Sequence, residues 1–219
     1  MNSRPPKWIV VLVAFLVGPS LVRAADDVAI ADFSSTLEAS GVPAGWQVKE
    51  KSGKAAFAVV KDDGVAAVRL RSANTSFSLQ KEVLVNLQQY PVLTWKWKVT
   101  KLPVGADFRK SDTDDQAAQL FLAFSKTRAI VYIWDTTAPE GTMGNAAGPF
   151  FMSIKSVVVR SGKNGTGSWL TESRNVYDDY RKLFGEEPAG IHGVRMQINS
   201  QHTETSAESY FADVAFKRQ

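Results

Sequence analysis

The chain has 219 residues, with 26 Lys and Arg against 22 Asp and Glu, no cysteine, and a hydrophobic fraction of 44%. The missing cysteine excludes a disulfide framework, thiolate metal sites and a cysteine nucleophile. The hydrophobic content, with 11% aromatic residues, excludes a disordered chain.

The N-terminus reads as an export signal. Arg4 and Lys7 precede an apolar run over residues 8–17, the length of a signal core and too short to span a membrane. Gly18, Pro19 and Ser20 interrupt it, and Val22-Arg23-Ala24 offers a cleavage site after Ala24, with Ala25 as the close alternative. Cleavage there removes three basic residues and no acid, leaving 23 against 22. The mature chain then lacks the positive field that a phosphate backbone requires, so nucleic acid is not expected as a partner. No further apolar run reaches spanning length, which predicts a periplasmic or secreted protein made of one domain over residues 25–219.

Period-two alternation dominates the mature chain. Residues 65–71 alternate loosely and residues 76–80 form a short strand. Residues 92–99 (VLTWKWKV) are the clearest case: Leu93, Trp95, Trp97 and Val99 take one face, Thr94, Lys96 and Lys98 the other. Residues 119–124 and 129–134 are more continuously apolar, as suits central strands, and residues 150–160 and 169–176 extend the series. A short helix comes next, capped by Asn175 or Asp178, with Tyr177, Tyr180 and Phe184 on one face and Gly185 as its stop. Residues 193–199 then place Val194, Met196 and Ile198 together. Residues 209–217 place Tyr210, Ala212, Val214 and Phe216 opposite Phe211, Asp213 and Ala215. About ten strands, one short helix and no βαβ alternation predict an all-β, antiparallel β-sandwich of jelly-roll type.

Several stretches are more specific together than singly: Leu93-Thr-Trp-Lys-Trp-Lys-Val99, Leu102-Pro-Val-Gly-Ala106, Asp114-Asp115, Tyr132-Ile-Trp134, Glu172-Ser-Arg-Asn-Val176, Asp178-Asp-Tyr-Arg-Lys-Leu-Phe-Gly185 and Tyr210-Phe-Ala-Asp213. They resemble an uncharacterised family of exported bacterial proteins, the domain of unknown function three-zero-four-seven, over roughly residues 30–217. The resemblance implies no activity. Three polar places depart from its pattern, at Gln119, at Val131 and over residues 199–203; if they belong to a binding site, the departures imply either a different ligand for this member or an impaired site. The chain also resembles carbohydrate-binding jelly rolls through Asp32-Phe33, Trp46-Gln-Val48 and Tyr210-Phe-Ala-Asp213; that likeness implies a structural calcium held in part by Asp213.

Candidate chemistry is sparse. Asp112, Asp114 and Asp115 suit a hard cation, but the loop has no glycine or closing glutamate, so a solvated loop or salt bridge is the competing reading and no metal site is assigned. Trp95 and Trp97 belong to a buried face, whereas Trp134 ends a strand beside an irregular loop and is the candidate platform for a sugar ring. Asp213 could accept hydrogen bonds from sugar hydroxyls or stand exposed without a role. Arg174 could clamp a ligand carboxylate or pair internally with Glu172 or Asp178. His192 and His202 have no zinc spacing, and no nucleophile elbow is present. The reading is a non-catalytic binding module for a carbohydrate or another cell-envelope ligand, lined by Trp134, Asp115, Arg174 and Asp213. Its alternatives are a glycan hydrolase or lyase using carboxylates such as Asp115 and Glu172, and a structural or assembly partner. No catalytic residue is assigned.

Overall fold

The computed structural model describes residues 27–34, 41–146 and 148–219, so the segment expected to be an export signal lies outside the described residues. In chain order the elements are β1 (Val28–Ala31), β2 (Gln47–Ser52), β3 (Ala56–Asp62), β4 (Val65–Ala73), β5 (Ser76–Val85), β6 (Val92–Lys101), β7 (Ala118–Ala123), β8 (Arg128–Asp135), β9 (Met143–Asn145), β10 (Ser153–Ser161), β11 (Leu170–Asn175), α1 (Val176–Phe184), β12 (Ile191–Asn199) and β13 (Ser206–Lys217). They build two sheets. The six-stranded sheet runs β11-β6-β13-β4-β3, with β1 also paired to β13; the seven-stranded sheet runs β2-β5-β12-β7-β8-β10-β9. This is the predicted all-β sandwich, with one difference. β8 and β10 pair in parallel because β9, antiparallel to β10, carries the chain back along the sheet before β10 begins.

The core lies between the sheets, where apolar faces from both leave water. Leu93, Trp95, Trp97 and Val99 of β6 are fully buried, as their alternation requires, and face Leu120 and Leu122 of β7, Tyr132 and Trp134 of β8, and Met196 and Ile198 of β12. Trp97 stands at the centre of an aromatic cluster: its ring centroid lies 5.3 Å from that of Trp95 at 88°, 5.7 Å from Trp134 and 6.4 Å from Phe211.

β13 departs from simple alternation. Its pairing with β6 shifts between Ala212 and Ala215, and Asp213 has φ 49°. This is a β-bulge: one extra residue re-aims every side chain beyond it. Phe211 therefore shares the core with Val214 and Phe216, while Tyr210 and Ala212 pack on the outer face with Ala67. The predicted grouping of Tyr210 with Val214 and Phe216 is corrected by that inserted residue.

The helix has the predicted cap: the Asn175 side chain accepts from the Asp178 amide, and Gly185 takes the left-handed conformation at its end. Its buried residues are Val176, Asp179 and Tyr180 rather than a purely aromatic stripe. Among the described residues no helix is long and apolar enough to cross a membrane.

Candidate functional site

The outer face of the seven-stranded sheet carries a cleft. Its floor results from the alternation that fills the core: where Val194, Met196 and Ile198 of β12 point inward, Arg195, Gln197 and Asn199 point outward. β7 behaves alike, with Leu120 and Leu122 inward and Gln119 and Phe121 outward. Gly193 and Ala123 face each other across the β12–β7 pair, and their small size keeps the floor low. One wall is formed by Ala146, Gly148, Pro149 and Met152, which lie close to β10; a Cβ on Gly148 would stand 2.4 Å from Ile154 Cδ1. The space divides at Arg195 and Phe121. On one side a volume of about 380 Å³ is lined by Gln116, Gln119, Val131, Ser156, Asn199 and His202 among others; on the other a volume of about 370 Å³ is lined by Gln47, Gln80, Ala123, His192 and Gly193. A third recess of about 280 Å³, with Lys49, Lys51, Ser78, Gln80 and Gln197, also reaches Arg195.

Two features organise this face. The first is a ladder of side-chain amides: Gln197 Nε2 donates to Gln119 Oε1 (3.1 Å), and Gln119 Nε2 donates to Asn199 Oδ1 (2.6 Å). Asn199 Nδ2 donates in turn to the Asp114 carbonyl (2.8 Å). These bonds fix each amide's donor and acceptor ends before any ligand arrives. The second is Arg195, whose guanidinium lies 4.6 Å from the Phe121 ring centroid. Its Nε is buried and has no hydrogen-bond partner, and burial pulls its pKa down from the ordinary arginine value, though arginine stays protonated.

The loop at the Asp114 end is pinned by Asp107, which accepts from Arg109 Nε and Nη2 at 2.7 Å each and from the Arg109 amide. The Arg109 side-chain hydrogen bonds dominate burial and hold the carboxyl at about 2. The unfolded value is about 3.9, so this contribution is complete above that pH and is lost as pH falls toward about 2. Asp107→Asn is expected to lower stability at neutral pH, with the gap to wild type closing on acidification. Urea titrations at several pH values check it; a pH-independent gap would refute the role.

The four residues singled out from sequence do not converge on this cleft. Trp134 is fully buried between the sheets, its indole N–H donating to the Gly162 carbonyl at 3.0 Å, so it offers no platform. It ends a strand, but on the inward register of β8. Arg174 holds Asp179 through Nε (2.9 Å) and Nη2 (2.5 Å), the internal pairing, made with Asp179 rather than Glu172 or Asp178. Asp213 is exposed at the bulge of the six-stranded sheet and pairs with Lys96 at 2.8 Å. Asp115 is fully buried: its Oδ2 accepts from the Thr203 amide (2.7 Å) and hydroxyl (2.8 Å), and its Oδ1 lies 3.4 Å from His202 Nδ1. It supports the loop beside the cleft, and its neighbour Asp114 lines the cleft itself. Asp115 lies in the loop before β7 and Glu172 on β11 of the other sheet, where Glu172 is committed to Trp97 Nε1 and Arg160. Among the described residues no group of three His, Asp or Glu is arranged to hold a metal.

Sequence reasoning missed Arg195, Phe121, Gln197 and Gln80. The signal was present in β12, whose inward set implies an outward Arg-x-Gln-x-Asn. In β7 the near-continuous apolar run concealed that Gln119 and Phe121 share a face. Gln119, Val131 and Asn199, positions where the family resemblance breaks, all line this cleft.

The family described as "Protein of unknown function (DUF3047)" matches residues 44–215. Among curated proteins none matches the chain. Solved structures of similar shape include the xyloglucanase domain of NopAA from Sinorhizobium fredii in complex with cellobiose, 9% identical, covering 80% of this chain and 94% of that one with a TM-score of 0.50. The family 11 carbohydrate-binding module of cellulase Lic26A-Cel5E of Clostridium thermocellum is 8% identical, covering 90% and 97%, with a TM-score of 0.47. Endoglucanase cel12A from Rhodothermus marinus is 9% identical, covering 83% and 94%, with a TM-score of 0.48. At such identities the likeness concerns the fold alone.

Proposed function

We propose a glycan-binding function for this chain, which belongs to the DUF3047 family of proteins of unknown function. The protein is exported, acts in the periplasm or outside the cell, and binds a carbohydrate of the envelope or surroundings without turning it over. The observation that carries this reading is the cleft itself: a fixed row of amides beside a guanidinium–aromatic pair, open along the sheet. Sugar hydroxyls both donate and accept, and pre-oriented amides serve both needs without reorganising. The fold is also similar to that of the xyloglucanase domain solved in complex with cellobiose, which supports the ligand class.

An aromatic surface for the sugar's apolar face lies at the rim. Phe150 is fully exposed and Phe151 largely so, their rings 5.6 Å apart and nearly perpendicular. They follow Pro149 and precede Met152, both cleft-lining residues. Exposed paired phenylalanines contribute nothing to the core and are suited to stacking on a pyranose ring. Binding rather than hydrolysis is favoured because the centre of the cleft carries a cation. The acids among its described lining residues, Asp114, Glu82 and Glu50, lie toward its ends, whereas glycoside hydrolysis needs two carboxylates flanking one bond.

Affinity electrophoresis against a set of envelope and plant polysaccharides tests the reading. At least one polymer is expected to retard the protein, with no reducing ends released. Phe150→Ala with Phe151→Ala is expected to weaken that binding about tenfold, equivalent to about 1.4 kcal/mol, without shifting the melting temperature. Retardation by no polymer, or unchanged affinity in the double variant together with measurable turnover, would overturn it.

A further inference from the structure

We infer that the ligand is an acidic glycan, and that one of its sugar carboxylates docks on Arg195. This rests on the glycan-binding reading and specifies the ligand's charge. The starting point is a contrast among arginines. Arg109, Arg160 and Arg174 each hold a carboxylate of the protein, with Asp107, Glu172 and Asp179 as partners. Arg195 has no carboxylate among the described residues, although its Nε is sealed from water. A guanidinium that gives up hydration without gaining a counter-ion is costly to keep, and an apolar replacement would be stabilising if packing were all that mattered.

The surroundings match an incoming anion. Phe121, its cross-strand partner, lies 4.6 Å from the guanidinium and limits where that rigid fork can sit before binding. Lys49 and Lys51 line the recesses that adjoin Arg195, whereas Lys81 is turned away and donates to the Ile30 carbonyl at 3.1 Å. None of the nearby acids among the described residues forms an ion pair with Arg195: Glu50 accepts from Lys54 and from the Ala55 amide, and Asp114 accepts from the Gln116 side chain. Glu82 lies in the outer recess, on the exposed surface. A planar carboxylate satisfies two guanidinium N–H groups at once, which a single hydroxyl does not. Because Arg195 stands between the two larger volumes, the docked residue belongs to the interior of a chain whose neighbouring sugars occupy both sides.

Calorimetric titration with oligogalacturonate, oligoalginate, cello-oligosaccharide and dextran sulfate tests this, each at about 20 mM and about 200 mM salt. At least one carboxylate-bearing oligomer is expected to bind about tenfold or more tighter than the neutral one, with affinity falling as salt rises. Arg195→Gln is expected to remove that advantage and the salt dependence, and Arg195→Lys to restore the charge but only part of the affinity. The wild-type salt response stands without any variant, should Arg195→Gln fold poorly. Equal binding of neutral and acidic oligomers would overturn the inference and leave the glycan-binding reading intact. Equal or tighter binding of dextran sulfate would overturn the carboxylate assignment. Binding of none, with none of the polysaccharides retarding the protein either, would overturn both.

Discussion

Trp97→Ala is expected to destabilise the domain by about 3–5 kcal/mol, the cost of removing a fully buried large aromatic side chain and leaving its cavity. Two independent losses act at this position. The ring is the hub of a cluster with Trp95, Trp134 and Phe211, so its removal strips contacts from both sheets at once. Its indole N–H also donates to Glu172 Oε1 at 3.0 Å. Glu172 is itself buried, and it keeps Arg160 but loses one of its donors. For a domain of this size the loss corresponds to roughly 10–15 °C in melting temperature. Trp97→Phe retains most of the packing and gives up the hydrogen bond, so its cost is expected near about 1–2 kcal/mol. Ligand affinity of either variant, measured where it is fully folded, is expected to stay at the wild-type value, because the cleft lies on the opposite face of the seven-stranded sheet. A Trp97→Ala variant melting within about 3 °C of wild type would refute the hub assignment.

The fold was legible wherever one face of a strand is apolar and the other polar. β6 shows this plainly, and each of its predicted inward residues is buried. β2 reads Gln-Val-Lys-Glu-Lys-Ser and is mostly exposed; with one inward valine it carries no alternation strong enough to recognise. β13 misled for a different reason: a single extra residue at Asp213 flips the register, and nothing in the spacing of Phe211 and Val214 reveals where the flip occurs. Trp134 misled because proximity to a loop in sequence does not determine the face of the sheet, whereas its place beside Tyr132 and Ile130 in the period-two pattern does. The cleft was the least legible feature. Its floor gathers β5, β7, β8, β10 and β12, residues far apart in sequence, and neighbours such as Gln119 and Asn199 meet only because β7 and β12 pair. Outward polar residues on a single strand look like ordinary solvated surface, and only the sheet order turns them into a row.

The buried ion pair behind the helix carries the second large effect. Asp179→Ala is expected to cost about 3–5 kcal/mol, because it leaves a partly buried guanidinium and a buried phenol without their acceptor. Asp179 takes Arg174 Nε and Nη2 on its two oxygens and the Tyr132 hydroxyl at 2.7 Å. Arg174 further lies 5.8 Å from the Tyr132 ring centroid, so the three groups form one unit joining β8, β11 and α1. Tyr132 is fully buried, and burial, then the Asp179 charge, pushes its pKa well above the ordinary phenol value; it remains a donor throughout the working pH range. Much of the loss on removing Asp179 is thus the penalty of the stranded Arg174 rather than the net worth of the pair, and that distinction is measurable. Adding Arg174→Met to Asp179→Ala removes the stranded charge while keeping an apolar stem over Tyr132, and is expected to recover a substantial part of the stability lost in the single variant. Denaturant titration of the two singles and the double closes the cycle. If the double variant is no more stable than Asp179→Ala, the unpaired guanidinium is not what makes that substitution costly, and the lost Tyr132 hydrogen bond and the disturbed helix entry must account for it instead.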